Sequence, residues 1–392
     1  MIINRSAESE IKKLCKIFPC VAVLGPRQSG KTTLVKNYAK ELKKKVIYLD
    51  MEKHSDKSQL EDPELFFHHH RHHVVIIDEV QLVPHLFTAL RPEIDALRKP
   101  GRFILTGSAS PDLVKGVSES LAGRIAFVDV HPISLGEAMV KNITLSRHWY
   151  RGGFPQALLS KSNEAYILWA DFFVRSYVER DLSLMFGVGI NPALARNFWS
   201  MVAIQNGHIW NAEAMARSLG VSGPTINRYL DFMEGAFLLR KLPAWFINAK
   251  KRMVKSPKIY IRDSGILHFL NNVNKPALLS AHPSVGASWE GYVIEEICKL
   301  LPYHVKPYYY RTHHGAEVDL VLSNGVKPLA CIEIKLSMSP SLKEGFYLCM
   351  DELKTKHNFV IYPGEKQMYK NNDVKVVSLK DFLQIHLKKI IQ

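Results

Sequence analysis

Three sets of residues in this chain are of the kinds that handle phosphate and metal chemistry. The first is Gly25-Pro26-Arg27-Gln28-Ser29-Gly30-Lys31-Thr32-Thr33, two glycines bracketing four residues with lysine and threonine after them. Phosphate oxygens need backbone N–H donors on a concave loop, and glycines let the main chain approach closely. Lys31 then reaches the β- and γ-phosphates of a nucleoside triphosphate, and the Thr32 hydroxyl is offered to Mg²⁺. The second set, Asp78-Glu79, closes the apolar run Val74-Val75-Ile76-Ile77. Asp78 is suited to hold Mg²⁺ through water, and Glu79 to polarise the water that attacks the γ-phosphate. Further along, Thr106-Gly107-Ser108 follows a fourth apolar run. Ser108, and after it Thr106, is placed to sense the γ-phosphate and the attacking water, although Ser and Gly also build plain turns. Arg124 either stabilises charge on the transferred phosphoryl group, in its own chain or a neighbour's, or forms a surface ion pair.

The third set lies near the C-terminus: Glu290, Asp319, Glu333 and Lys335. Glu333 and Lys335 are two apart in a strand-like run and project from one sheet face, where Asp319 of the neighbouring strand can meet them. Such a group suits Mg²⁺-dependent phosphodiester cleavage. Asp319 and Glu333 bind the metal, Glu290 completes the ligand set, and Lys335 orients or deprotonates water. A cross-strand salt bridge gives the same letters, so cleavage and simple binding stay as alternatives.

These residues need particular elements behind them. Short apolar runs at 21–24, 46–49 and 74–77, with mostly apolar stretches at 102–105 and 125–130 that include Arg102 and Asp129, predict the strands of a parallel sheet, with helices over 34–42 and 86–97 between them. Residues 1–130 therefore read as an α/β P-loop NTPase domain with a parallel sheet. Residues 131–190 read as a helical lid and connector, with a long helix over 165–185. Residues 191–250 read as a winged helix: two short helices around Gly220-Val221-Ser222, then an apolar strand. Ser222, Thr225, Asn227 and Arg228 fall on or near its second helix, and a basic segment follows at 250–258. The same unit also serves in other proteins only to pack domains together. Residues 251–392 read as a second α/β domain, with a helix over 284–300 and a hairpin turning at Asn324-Gly325.

At 392 residues the chain is long enough for two or three domains. The net charge of +15 fits a polyanionic partner or a lysine-rich solvated surface. Five scattered cysteines without CxxC spacing point to buried thiols in a reducing cytosol, not to disulfides or zinc. No apolar run reaches the length of a membrane span, so a cytoplasmic protein is expected. The histidines of 68–73 are bunched in a polar connector with no acid or thiol at a ligating spacing, and read as solvated.

The segments GPRQSGKTTL, VVIIDEVQ, FILTGSAS, SLAGRIAFVDVHPISLGEAM and RGGFPQAL, in that order, resemble the prokaryotic AAA-plus-type ATPases whose C-terminal half was catalogued as a domain of unknown function. The resemblance covers essentially the whole chain. It implies a five-stranded parallel core with additional strands, and ATP as ligand. The C-terminal set, with Asp319 and Glu333-Ile334-Lys335, resembles the PD-(D/E)XK nuclease superfamily, Val318 standing where that motif has proline. That implies a restriction-endonuclease-like α/β domain. The expected protein binds ATP and Mg²⁺, hydrolyses ATP, and couples nucleotide state to double-stranded DNA or a partner. Alternatives are an ATP-licensed DNA endonuclease and a nucleotide-gated protein-interaction module without DNA. A homo-oligomer fits each of them.

Overall fold

The computed structural model describes residues 3–108, 121–181, 191–246, 256–312, 315–371 and 373–392. The first sheet is built from β1 (Cys20–Gly25), β2 (Val46–Asp50), β3 (Val74–Asp78), β4 (Phe103–Ser108) and β5 (Ile125–Asp129). All its pairings are parallel, in the order β2-β3-β4-β1-β5. Val21 and Val23 join a core with Ile11 of α1 (Ala7–Leu14) and Leu34 and Val35 of α2 (Lys31–Glu41). Ala22 and Leu24 point the other way, into a core with Leu86, Leu90 and Ile94 of α3 (Leu86–Ala96). With both faces covered, no position in β1 can be polar, which is why the run is continuous rather than alternating. The register sets Gly25 beside Ser108 and Val23 beside Thr106. The C-terminal ends of β1, β3 and β4 therefore gather at one edge, where open α/β sheets receive ligands.

The middle of the chain is helical: α4 (Leu145–Arg151), α5 (Asn163–Phe173), α6 (Pro192–Ile204), α7 (Ala212–Leu219) and α8 (Gly223–Gly235). An antiparallel pair follows, β6 (Leu239–Leu242) and β7 (Lys258–Ile261). Tyr166, Phe173, Trp199, Ile226, Leu230, Ile259 and Leu267 share one core. That core crosses both divisions expected at 190 and 250, and the second division falls inside the β6–β7 pair. Helices this short cannot cover their apolar sides individually, so they pool them. The long helix expected over 165–185 is α-helical only to Phe173 and continues as a π-helix over Val174–Asp181. The remainder of that expectation lies outside the described residues.

A six-stranded mixed sheet closes the chain: β8 (Val305–Arg311), β9 (Glu317–Asn324), β10 (Lys327–Ile334), β11 (His357–Tyr362), β12 (Met368–Asn371) and β13 (Val374–Ser378). Its order is β12-β13-β11-β10-β9-β8, with β8, β9 and β10 antiparallel and β10, β11 and β13 parallel. The helix α9 (Val285–Cys298) contributes Trp289, Val293 and Ile297 to a core with Leu320 and Ile332. Phe346 and Cys349 of α10 (Glu344–Leu353) share a separate core with Val321 and Cys331.

Trp199 is fully buried in the shared middle core. Trp199→Ala is expected to destabilise that region by about 3–5 kcal/mol, read as a lower urea midpoint at unchanged pH. Because the core is common, the loss should reach α5 and α8 together; one of them unfolding alone would contradict it.

Candidate functional site

The phosphate loop leaves β1 at Gly25 and enters α2 through Gly30, whose φ of +95° favours glycine. Gly25 is required for a different reason: a Cβ there would lie 2.1 Å from the Val130 carbonyl oxygen. Glycine at the first position thus lets the chain leaving β5 cross close to the loop. Lys31 is 4% exposed, and its Nζ donates to the carbonyls of Gly25 and Pro26, both at 2.9 Å, with Ser108 Oγ at 3.5 Å. Ser29 Oγ is buried and has no hydrogen-bond partner. A buried, unpaired hydroxyl in a glycine-bracketed loop fits a site made for an oxyanion.

The acidic pair stands at the end of β3. Asp78 accepts from Thr32 Oγ1 at 2.9 Å and also from the hydroxyls of Thr106 and Tyr48. Three hydroxyl donors orient its carboxylate toward the loop. Thr32 and Asp78 fit Mg²⁺, which keeps several waters and takes one or two protein ligands. Glu79 is held at φ +55°, with its N–H donated to Thr106 Oγ1 at 3.2 Å and its carboxylate accepting from Gln81. A cavity of about 420 Å³ joins Lys31, Thr32 and Glu79 to Ile3, Asn4 and Pro155.

Some of these neighbours carry no sequence signal of their own. Arg5 donates to the Ser29 carbonyl at 2.8 Å, to the His131 carbonyl, and to Glu137 at 3.2 Å, fixing the loop against the segment after β5. Trp169 of α5 donates its indole N–H to Gln28 Oε1 at 2.9 Å, so the helical region touches the loop directly. Arg27 lies over the Tyr177 ring at 5.9 Å and 3.7 Å from Glu52. Pro26 is buried and Thr33 exposed at the start of α2.

Arg124 does not share this cleft. It precedes β5, whose first residue pairs with the first residue of β1, so it sits at the N-terminal edge of the sheet. The length of β1, on the order of 17 Å, separates it from the loop. There it forms a two-point ion pair with Asp95, both distances 2.7 Å. The expectation that Arg124 serves the nucleotide of its own chain is corrected by strand direction: residues before a parallel strand lie at the edge opposite those after it.

A second cleft, of about 1570 Å³, is lined by Glu290, Asp319, Glu333 and Lys335. Glu333 and Lys335 are 2.5 Å apart, and Asp319 Oδ2 accepts the Ile334 N–H at 2.8 Å. Burial, then the negative charges of Glu290 and Glu333, push the Asp319 carboxyl well above its usual range. Burial likewise raises Glu333, against the pull of Lys335. Glu290 accepts from Lys258 and Tyr260, residues without a part in the expected site. The four expected residues are thus brought to one cleft but not into a ligand set: each carboxylate already accepts from protein donors. Among the described residues, no three His, Cys, Asp or Glu side chains stand close enough to hold a metal ion, and the histidines of 68–73 are no exception.

In the helix pair α7–α8, Ser222 caps α8 by accepting the Thr225 N–H, and the two hydroxyls pair at 2.8 Å. Asn227 accepts the Trp210 indole N–H at 2.9 Å, and Arg228 lies over the Phe232 ring at 5.3 Å. All four residues expected to face DNA thus have local structural partners, and Ser222, Asn227 and Arg228 remain exposed. Among the described residues, no helix is long and apolar enough to cross a membrane.

The chain is similar to known families and proteins along most of its length. Residues 18–139 match the model of an AAA domain, while 142–277 and 285–382 match two domains of unknown function, DUF8612 and DUF4143. With its phosphate loop and acidic strand end, the N-terminal region is an AAA-type P-loop ATPase domain. Uncharacterized proteins of Mycobacterium tuberculosis and Mycobacterium bovis are each 37% identical over 383 residues, covering 98% of this chain and 85% of theirs. The chain belongs to the same family as these two proteins. Among solved structures, a Walker-type ATPase of Pyrococcus abyssi aligns at 14% identity and a TM-score of 0.47, over 69% of this chain and 96% of that one.

The site's electrostatics give a pH signature. Burial lowers the Lys31 pKa to about 8, although Glu79 and Asp78 pull it upward. Its folded value lies below the unfolded one near 10.5, so the buried charge costs stability below pH 8 and the cost fades as pH rises toward 10.5. Nucleotide-free Lys31→Met should therefore exceed the wild type in stability at pH 7 by on the order of 1–3 kcal/mol. That gain should shrink between pH 8 and 10.5 in chemical denaturation; a gain constant across this window would contradict it.

Proposed function

We propose that the protein binds ATP with Mg²⁺ at the phosphate loop, hydrolyses it, and transmits the nucleotide state to its helical and C-terminal regions. The observation that carries this reading is the convergence of Lys31, Thr32, Asp78 and Glu79 at one edge of the sheet, three of them lining one cavity. In it the loop from Gly25 to Thr33 binds the phosphates, Lys31 exchanging its two carbonyl partners for β- and γ-oxygens. Thr32 and Asp78 hold Mg²⁺, which neutralises phosphate charge when bound. Glu79 orients the attacking water and takes its proton, and Ser108 and Thr106 flank the γ-position. Ile3, Asn4 and Pro155 border the part of the cavity left for the base. The Trp169–Gln28 hydrogen bond supports a coupling route, since a loop refitted around phosphates must move or release Gln28.

For the partner, duplex DNA is the reading we favour, bound through the winged helix formed by α7, α8 and the β6–β7 pair. The exposed Asn227 and Arg228 and the net charge of +15 support it. The nuclease-like reading of α9 and the C-terminal sheet rests on Glu290, Asp319, Glu333 and Lys335 lining one cleft, and we take that region as a binding domain. A protein partner in place of DNA is the second reading, supported by the structural roles of Ser222, Thr225 and Asn227.

Glu79→Gln should retain ATP binding and lose about 10²- to 10⁴-fold in phosphate release, whereas Lys31→Ala should lose binding itself. Fluorescent-nucleotide titration and a phosphate-release assay separate the two; unchanged turnover in Glu79→Gln would remove Glu79 from the chemistry. Duplex binding followed by anisotropy should weaken steeply with salt and in Arg228→Ala, and binding indifferent to both would favour the protein partner.

A further inference from the structure

The C-terminal cleft contains a cation that its own domain does not supply. Lys258 belongs to β7, the strand paired with β6 of the middle region, yet its side chain ends among the carboxylates of the cleft. Its Nζ lies 2.5 Å from Glu317 Oε1 and 3.2 Å from Glu290 Oε1, and the side chain is 5% exposed. Tyr260, two residues on and so on the same side of the strand, donates its hydroxyl to the same Glu290 oxygen at 2.6 Å. The Tyr309 ring lies 5.6 Å from the ammonium. Burial disfavours the charged lysine here, but Glu290, Asp319 and Glu317 more than offset it and hold the ammonium above its usual range.

The other half of the cleft is arranged alike. Lys335 is paired with Glu333 Oε1, while Glu333 Oε2 is buried without any hydrogen-bond partner in a residue only 8% exposed. A divalent cation would need Glu290, Asp319 and Glu333 drawn onto a common centre at about 2.0–2.6 Å. Here two ammonium groups, the Tyr260 hydroxyl and a backbone N–H engage one oxygen of each carboxylate, and Glu333 Oε2 is buried with no hydrogen-bond partner.

We propose that Lys258 is an internal cation of the C-terminal cleft, an ammonium fixed between Glu290 and Glu317 that offsets part of their charge and keeps a divalent metal from assembling there. The cleft is then a composite of β7 and the C-terminal sheet, and the C-terminal region alone lacks one of its constituents. This does not depend on the nucleotide reading, and it explains why the acidic residues share a cleft without forming a ligand set.

The test is Mn²⁺ binding by the full chain, with Asp78→Asn as background so that the phosphate loop contributes no metal. Calorimetry should find no cleft site up to about 1 mM Mn²⁺ in that background. Adding Lys258→Met should create one site, tighter by at least about tenfold than that limit, and Glu290→Gln on top should remove it. Should Lys258→Met fail to fold, the background protein still decides. Its thermal midpoint should be unchanged by Mn²⁺, and a rise that Glu290→Gln abolishes would overturn the proposal. A folded Lys258→Met protein that gains no metal site would overturn it equally.

Discussion

The rest of the structure depends on how a buried ammonium is accommodated at the end of β1. Lys31 is enclosed by the loop it belongs to, and its partners are two carbonyls of that loop. A lysine so placed is costly without compensation, since removing it from water disfavours its charge. Compensation comes from elements distant in sequence: Asp78 and Glu79 from β3 and Ser108 from β4. Parallel strands bring these ends to the same edge, and the order sets β4 between β1 and β3, so that Ser108 stands between the loop and the acidic pair. Sheet order and site are therefore one constraint viewed at two scales.

Buried charge also ties the regions together. Arg5 links the loop to the His131 carbonyl and Glu137, and Arg262 reaches His131 Nδ1 at 3.1 Å. Arg262 also donates to Glu295 of α9 at 3.1 Å, where Arg240 of β6 meets the same carboxylate. The opposing arginines hold Glu295 down at about 2 against its burial. The helix carrying Glu295 also carries Glu290, so, among the described residues, hydrogen-bonded groups join the nucleotide site to the second cleft. Removing Glu295 would leave Arg240 and Arg262 without the carboxylate they share, which is the expensive outcome.

The central strand β1 and the run Val74–Ile77 of β3 were legible because strands covered on both faces are apolar there throughout, a pattern that survives in a single sequence. The phosphate loop was legible because its spacing is set by backbone geometry. Arg124 was misplaced although strand direction was available: it comes before an apolar run, whereas Asp78 and Ser108 come after theirs. The divisions at 190 and 250 could not be read from composition, since a core pooled from short helices leaves no boundary in the pattern of any one of them. Tyr48, Trp169 and Arg5 were invisible for a related reason, and Lys258, read only as the end of a basic segment, is instead buried between Glu290 and Glu317. Each is an ordinary residue in its local context and acquires a role only through an element packed from elsewhere.

The central claim is that the end of β1 is built to receive a triphosphate, and titration calorimetry of the full wild-type chain with ATP and Mg²⁺ tests it most directly. One saturable site per chain, competed by ADP and weakened when Mg²⁺ is chelated, is the result the account predicts. A folded protein that shows no saturable uptake of any adenine nucleotide would contradict it.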